Sequence, residues 1–179
     1  MLGKHGDEWT QEDNEMVMYV SQSPTLFRDS VKGNIRLAQI QVTDDDIVVA
    51  ATLARADEFI DNMTYGYDDL IHEKGSNLSG GQRQRIALSR AFIRQSKVVV
   101  LDEPTSELDA HTQREVMESL RGILSDKSAI IVTHRMEMTE LADRIVVLDK
   151  GVIVEEGTHE GLLAQKGIYS ELYTTYHRD

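Results

Sequence analysis

Two stretches, KVVVLDEP at residues 97–104 and SAIIVTH at residues 128–134, are short apolar runs without polar interruption, separated by DAHTQREVMESLRGIL, whose apolar residues recur at helical spacing. Uninterrupted apolar runs of this length are the pattern of strands covered on both faces, and strands joined by a helical crossover run parallel. A chain written this way folds as an α/β protein around a parallel sheet.

The remaining segments fit that frame. MVMYVSQ (Met16–Gln22) reads as a further strand ending in a loop marked by Pro24, and residues 1–15 read as a polar, frayed lead-in. TDDDIVVAATLARADEFIDNM reads as a helix, with Thr43 as cap and Asp46 closing a capping box. The acids Asp44, Asp45 and Asp46 are therefore read as a helix start at the positive end of the dipole, not as a metal cluster. MEMTELA reads as a short helix, DRIVVLDKGVIVEEG as a hairpin turning at Lys150-Gly151, and HEGLLAQ and IYSELYTTYH as closing helices. The methionines at 16, 18, 136 and 138 are expected in the core.

Composition excludes several function classes. A formal net charge of −12 argues against nucleic-acid binding, which requires clustered Lys and Arg to neutralise phosphates. With no cysteine, disulfides and thiolate metal sites are excluded. No apolar run approaches the length of a membrane span, so any work at a membrane implies that something else spans it.

EKGSNLSGGQRQRIALSRAF (Glu73–Phe92) places Ser-Gly-Gly directly before a helical pattern. A helix N-terminus offers unpaired N–H groups and the positive end of the macrodipole, and glycines let an anion approach the backbone. Asp102 ends an apolar strand, so its carboxylate emerges at the edge where open α/β sheets bind ligands. A carboxylate there can hold a magnesium ion that bridges nucleotide phosphates, and the adjacent Glu103 can polarise an attacking water. Read alone, the two acids could equally cap the next segment, His134 could be a surface residue, and Gln22 a turn residue beside Pro24. Arg83, Arg85, Arg90 and Arg94 are read as ion-paired residues on the helix surface.

Taken in order, VSQSPTLF, LSGGQ, VVVLDEPTSELD and IIVTHR closely resemble the nucleotide-binding domain of ATP-binding cassette (ABC) transporters, over nearly everything from Met16 to the C-terminus. The resemblance implies a P-loop NTPase-like (RecA-like) parallel core with an inserted helical subdomain at about 23–95 and the core continuing over 96–179. It implies ATP and Mg2+ as cofactors, Asp102 and Gln22 as magnesium ligands, Glu103 as general base and His134 as the γ-phosphate sensor. It further implies that Ser79, Gly80, Gly81 and Gln82 face a nucleotide held by a second cassette, identical or different, and that Asp109 crosses the dimer interface. Glu107 departs from the small residue common at its position, which puts extra negative charge near that interface. GYDDLIHEKGSNLSGGQ and SPTLFRDSVKGNI are exporter-like, with His72 replacing the usual glycine, so the expected partners include an exporter's transmembrane domains and the expected site of work is the cytoplasmic face of a membrane.

No G-x-x-x-x-G-K-S/T run occurs in these 179 residues, and Gly3-Lys4 is a poor substitute because His5 follows where a hydroxyl is needed. The sheet core is thus expected to be N-terminally incomplete, and the chain reads as the C-terminal portion of a cassette with little ATP affinity or ATPase activity alone. The alternative is a non-catalytic module that lends its LSGGQ helix to a partner; intact Glu103 and His134 tell against it. A chromosome-maintenance ATPase would need a long coiled coil, and no heptad run appears.

Overall fold

The computed structural model describes Thr10 and residues 16–177, so the polar lead-in falls almost wholly outside the described residues. The chain divides into two compact units, residues 1–132 and 133–179.

In the first unit, β1 (Val17–Val20), β4 (Val98–Asp102) and β5 (Ser128–Val132) form a parallel sheet in the order β1-β4-β5. The crossover from β4 to β5 is α5 (Ala110–Leu124), which buries Val116 and Leu120. The parallel α/β expectation is met. The covered strands are less uniform than their sequences: β4 alternates buried and half-buried positions, and β5 is largely exposed. An apolar run reports what a strand can bury; β5 is an edge among the described strands, and Ile130 and Val132 stand 59% and 51% exposed.

Between β1 and β4 lies a helical layer built from α1 (Val31–Arg36), α2 (Asp44–Leu53), α3 (Asp57–Ile60) and α4 (Gly80–Ile93). Thr43 and Asp46 form the expected capping box, and the hydrogen bond from Thr43 holds the Asp46 carboxyl below its ordinary value. Asp44 pairs with Arg36, so this acidic run starts a helix. The single helix read across residues 43–63 is two, because Arg55 takes a left-handed φ of 55° and breaks it. A two-stranded antiparallel sheet, β2 (Asp29–Ser30) with β3 (Leu70–Ile71), ties the layer's two ends. Leu26, Ile35, Ile47, Phe59, Ile71 and Ile86 share one buried cluster, which seats α4.

The second unit carries the hairpin β6 (Ile145–Asp149) and β7 (Val152–Gly157), turning at Lys150-Gly151 with both φ angles positive, as a tight hairpin demands. Two helices follow, α6 (His159–Gln165) and α7 (Ile168–Tyr176), and the MEMTELA segment forms a 3-10 helix at Met136–Leu141. Tyr169 anchors this unit: it is buried against Ile145 and Leu162, and its hydroxyl lies 2.7 Å from His159 Nδ1 and 2.9 Å from Thr139 Oγ1. Of the four methionines expected inside, Met18 and Met138 are buried, Met136 is half-buried and Met16 is exposed.

Candidate functional site

β4 ends at Asp102, whose Cα pairs with Val132 across the sheet, so the carboxylate leaves at the carboxyl edge. It accepts a hydrogen bond of 3.0 Å from the hydroxyl of Tyr19 on β1. Sequence reading missed Tyr19; its only signal is its position on the alternating strand. Because Val20 pairs with Leu101, Gln22 leaves β1 at the same edge, and it is exposed.

At Glu103 the chain reverses. Its N–H still donates to Val132 O at 2.8 Å, but its φ of 48° is left-handed, a costly conformation for a residue with a Cβ. Local bonds stabilise it: Glu103 O accepts from Ser106 N at 3.2 Å, from Ser106 Oγ at 3.1 Å and from Gln84 Nε2 at 2.7 Å. Gln84 belongs to α4 and is fully buried, and its other amide atom, Oε1, accepts from Glu107 N at 2.9 Å. Both ends of the turn from Glu103 to Glu107 are therefore fastened to one side chain of α4.

Asp109 caps α5, accepting from His111 N at 3.0 Å, Thr112 N at 3.1 Å and Thr112 Oγ1 at 2.7 Å. The Thr112 hydroxyl, and then the backbone donors, hold its carboxyl at about 2.

The N-terminus of α4 explains its own residues in part. Ser79 accepts from Gln82 N at 3.2 Å while Gln82 Oε1 accepts from Ser79 N at 2.9 Å, a reciprocal capping box. Gly80 and Gly81 have a neighbour within the same chain: a Cβ at Gly81 would lie 2.8 Å from the backbone oxygen of Glu107, and one at Gly80 would meet the Glu107 carboxylate. The bare turn thus accommodates the Glu103–Glu107 loop, and Ser79 itself remains exposed.

Arg90, expected as a surface ion pair, is mostly buried. It donates to Asn34 O, Asn34 Oδ1 and Thr25 O, each at 2.8 Å, and burial pushes its guanidinium down to about 10. Asn34, itself fully buried, exchanges hydrogen bonds with the backbone of Phe27. Together they fasten the loop that follows Gln22 to α4. Arg85 does pair with a surface acid, Glu58, at 3.3 Å, while Arg83 turns back to Leu78 O at 2.7 Å.

The first unit therefore holds Gln22, Ser79 to Gln82, Asp102, Glu103 and Asp109 on elements that brace α4 or adjoin it; His134, exposed and two residues past β5, belongs to the second unit. Among the described residues no group of three or more acids or histidines could hold a metal ion. One half-buried carboxylate at a sheet edge suits magnesium that arrives with a nucleotide, since that ion keeps waters and phosphate oxygens and asks the protein for one or two carboxylates. No helix among the described residues is long and apolar enough to cross a membrane.

The sequence pattern of the family described as ABC transporter matches residues 3–106. An ATP-dependent lipid A-core flippase of Shewanella frigidimarina (strain NCIMB 400) is 46% identical over 158 residues, covering 88% of this chain and 26% of that protein. A mitochondrial potassium channel ATP-binding subunit of Pongo abelii is 41% identical over 158 residues, covering 88% of this chain and 22% of that protein. The solved structure of a bacterial Atm1-family ABC exporter with ATP bound superposes with a TM-score of 0.88 at 31% identity, over 93% of this chain and 30% of that one. The chain spans about a quarter of the length of the curated relatives it matches.

Proposed function

The chain belongs to the ABC transporter family, and on that premise we propose that it supplies the signature helix and the hydrolytic carboxylate of an exporter's ATP-hydrolysing cassette. The observation that carries this reading is a brace joining the two: Gln84 fixes the Glu103–Glu107 turn to the helix that begins at Ser79.

Within it each residue has a task. Asp102 and the Gln22 amide oxygen would hold Mg2+, which would neutralise charge on the phosphates. Glu103 polarises the attacking water and takes its proton. His134 donates to the γ-phosphate. Ser79, Gly80, Gly81 and Gln82 close over ATP bound by a second cassette, identical or different, and Asp109 stands at the interface between the two. Transmembrane domains of an exporter receive the work at the cytoplasmic face. The helical subdomain spans about 23–95 and the catalytic core 96–179.

By itself the chain has little ATP affinity, because no phosphate-wrapping G-x-x-x-x-G-K-S/T run stands in its sequence. Calorimetric titration of the chain with Mg-ATP is expected to give no saturable signal; a micromolar isotherm from the monomer overturns that part. In an assembled cassette pair, Glu103→Gln is expected to abolish turnover while leaving nucleotide binding intact. Full stimulation of a partner cassette by the Glu103→Gln chain would replace this reading with that of a module that only lends its signature helix.

A further inference from the structure

Gln84 is the one fully buried polar residue of α4 that reaches out of its helix at both ends of its amide. It sits two residues past Gln82 in the sequence, on the same helix whose first turn is proposed to face the partner's nucleotide. Its Nε2 donates to Glu103 O at 2.7 Å, with Ser106 Oγ at 3.4 Å, and its Oε1 accepts from Glu107 N at 2.9 Å. Those two backbone groups are the entry and exit of the turn in which Glu103 holds its left-handed φ.

A left-handed glutamate persists only where its surroundings over-determine it. The Glu103 carbonyl receives two donors from within the turn and one from Gln84, which ties the turn to α4, while Glu103 N ties its start to Val132 O on β5. Removing the Gln84 amide leaves Glu103 O with only its donors from Ser106 and takes from Glu107 N the side-chain acceptor that fixes the far end of the turn. The Gln84 amide bonds to Glu103, Ser106 and Glu107, all within the turn. Its effect on chemistry therefore runs through where it puts Glu103.

We propose that Gln84 is a positioning residue for hydrolysis, holding the turn that aims Glu103 to the helix that contacts the opposing nucleotide, so that movement of this helix on nucleotide closure is transmitted to the base of the chain's own site. This rests on the assignment of Glu103 as general base under Proposed function. The structure supplies a contiguous hydrogen-bonded link between the helix and the turn, and the double-mutant comparison below measures whether it couples them.

The test uses Gln84→Met, which keeps the volume and removes both hydrogen bonds, in the assembled cassette pair. The expected result is a fall in kcat of roughly 10- to 100-fold with KM for ATP changed by less than about twofold, because an ångström of misplacement is felt in the rate and not in binding. In the Glu103→Gln background the residual single-turnover rate is expected to be unaffected by Gln84→Met, since the two residues act as a unit. An unchanged kcat for Gln84→Met, or an undiminished further loss in the Glu103→Gln background, overturns the inference. Should Glu103→Gln itself leave turnover intact, the functional assignment falls first, which separates the two failures.

Hydrogen exchange on the full chain gives a second reading that does not need turnover. The Glu107 amide is expected to lose protection in Gln84→Met while the Gln113 amide, bonded to Asp109 O at 2.9 Å in α5, keeps its own. Equal protection of Glu107 in both proteins overturns the inference. If Gln84→Met does not fold, Gln84→Asn keeps the amide but is one methylene too short to reach both partners, and the same outcomes apply.

Discussion

The backbone oxygen of Glu107 lies directly over Gly81, so close that a methyl group on that glycine would stand 2.8 Å from it. The relation makes the two signature glycines unequal. At Gly80 the obstacle is the end of a flexible, exposed glutamate side chain; at Gly81 it is main chain, which cannot step aside.

Gly81→Ala is therefore expected to displace the Glu103–Glu107 turn and destabilise the chain by about 1–3 kcal/mol, the usual range for overpacking. Gly80→Ala is expected to remain within about 1 kcal/mol of wild type, as the side chain rotates away and alanine favours the helix. Urea unfolding of both variants checks this. Equal stabilities would mean that the close approach over Gly81 does not constrain the fold.

Arg90 offers a second measurement. Replacing it with Ala leaves Asn34 O and Thr25 O without their donor, and a loss of about 2–4 kcal/mol is expected. Arg90→Lys should recover little, because an ammonium cannot place three bonds with the geometry of a planar fork. Full recovery by lysine would reduce Arg90 to a mere charge.

Asp109 gives a pH signature of definite sign. Its carboxyl titrates at about 2 in the folded chain against 3.8 unperturbed, so its contribution is complete above the higher value and is lost as pH falls toward the lower one. Asp109→Asn still caps the helix but cannot titrate. The gap in Tm between wild type and Asp109→Asn should therefore move in the variant's favour on going from pH 5 to about pH 2. A gap that does not change with pH would contradict the hydrogen bonds from Thr112.

Tyr67 should tolerate loss of its hydroxyl. That oxygen is buried with no hydrogen-bond partner among the described residues, and burial pushes its pKa up to about 12. Tyr67→Phe is expected to be neutral or stabilising by up to about 1 kcal/mol, because it removes an unsatisfied polar atom and no bond. A clear drop in thermal stability would reveal a partner for the hydroxyl.

Local chemistry made much of this fold legible. Thr43 and Asp46 announced their capping box, and Lys150-Gly151 announced a hairpin turn, because caps and turns are decided by a few adjacent residues. Ser79 and Gln82 were legible as an exposed helix start, but not as partners of each other. What escaped was set by distant neighbours. Nothing in ATLARADEF marks Arg55 as left-handed. Gln84 sits in the polar run Gln82–Arg85 and Arg90 reads as a surface charge, while the approach of the Glu103 turn to the one and of Asn34 and the Thr25 loop to the other takes them out of water. The two-residue strands β2 and β3 are too short to show any period.

The outermost strand β5 carries a practical consequence. SAIIV has no lysine, no proline and no charge, and its outer row of peptide groups is unpaired among the described strands. Natural edges are usually blunted by such residues, so a border left plain invites another polypeptide to zip alongside. Solutions of this chain should grow heavier as they are concentrated, and a lysine written in at Ile130 should keep them clear.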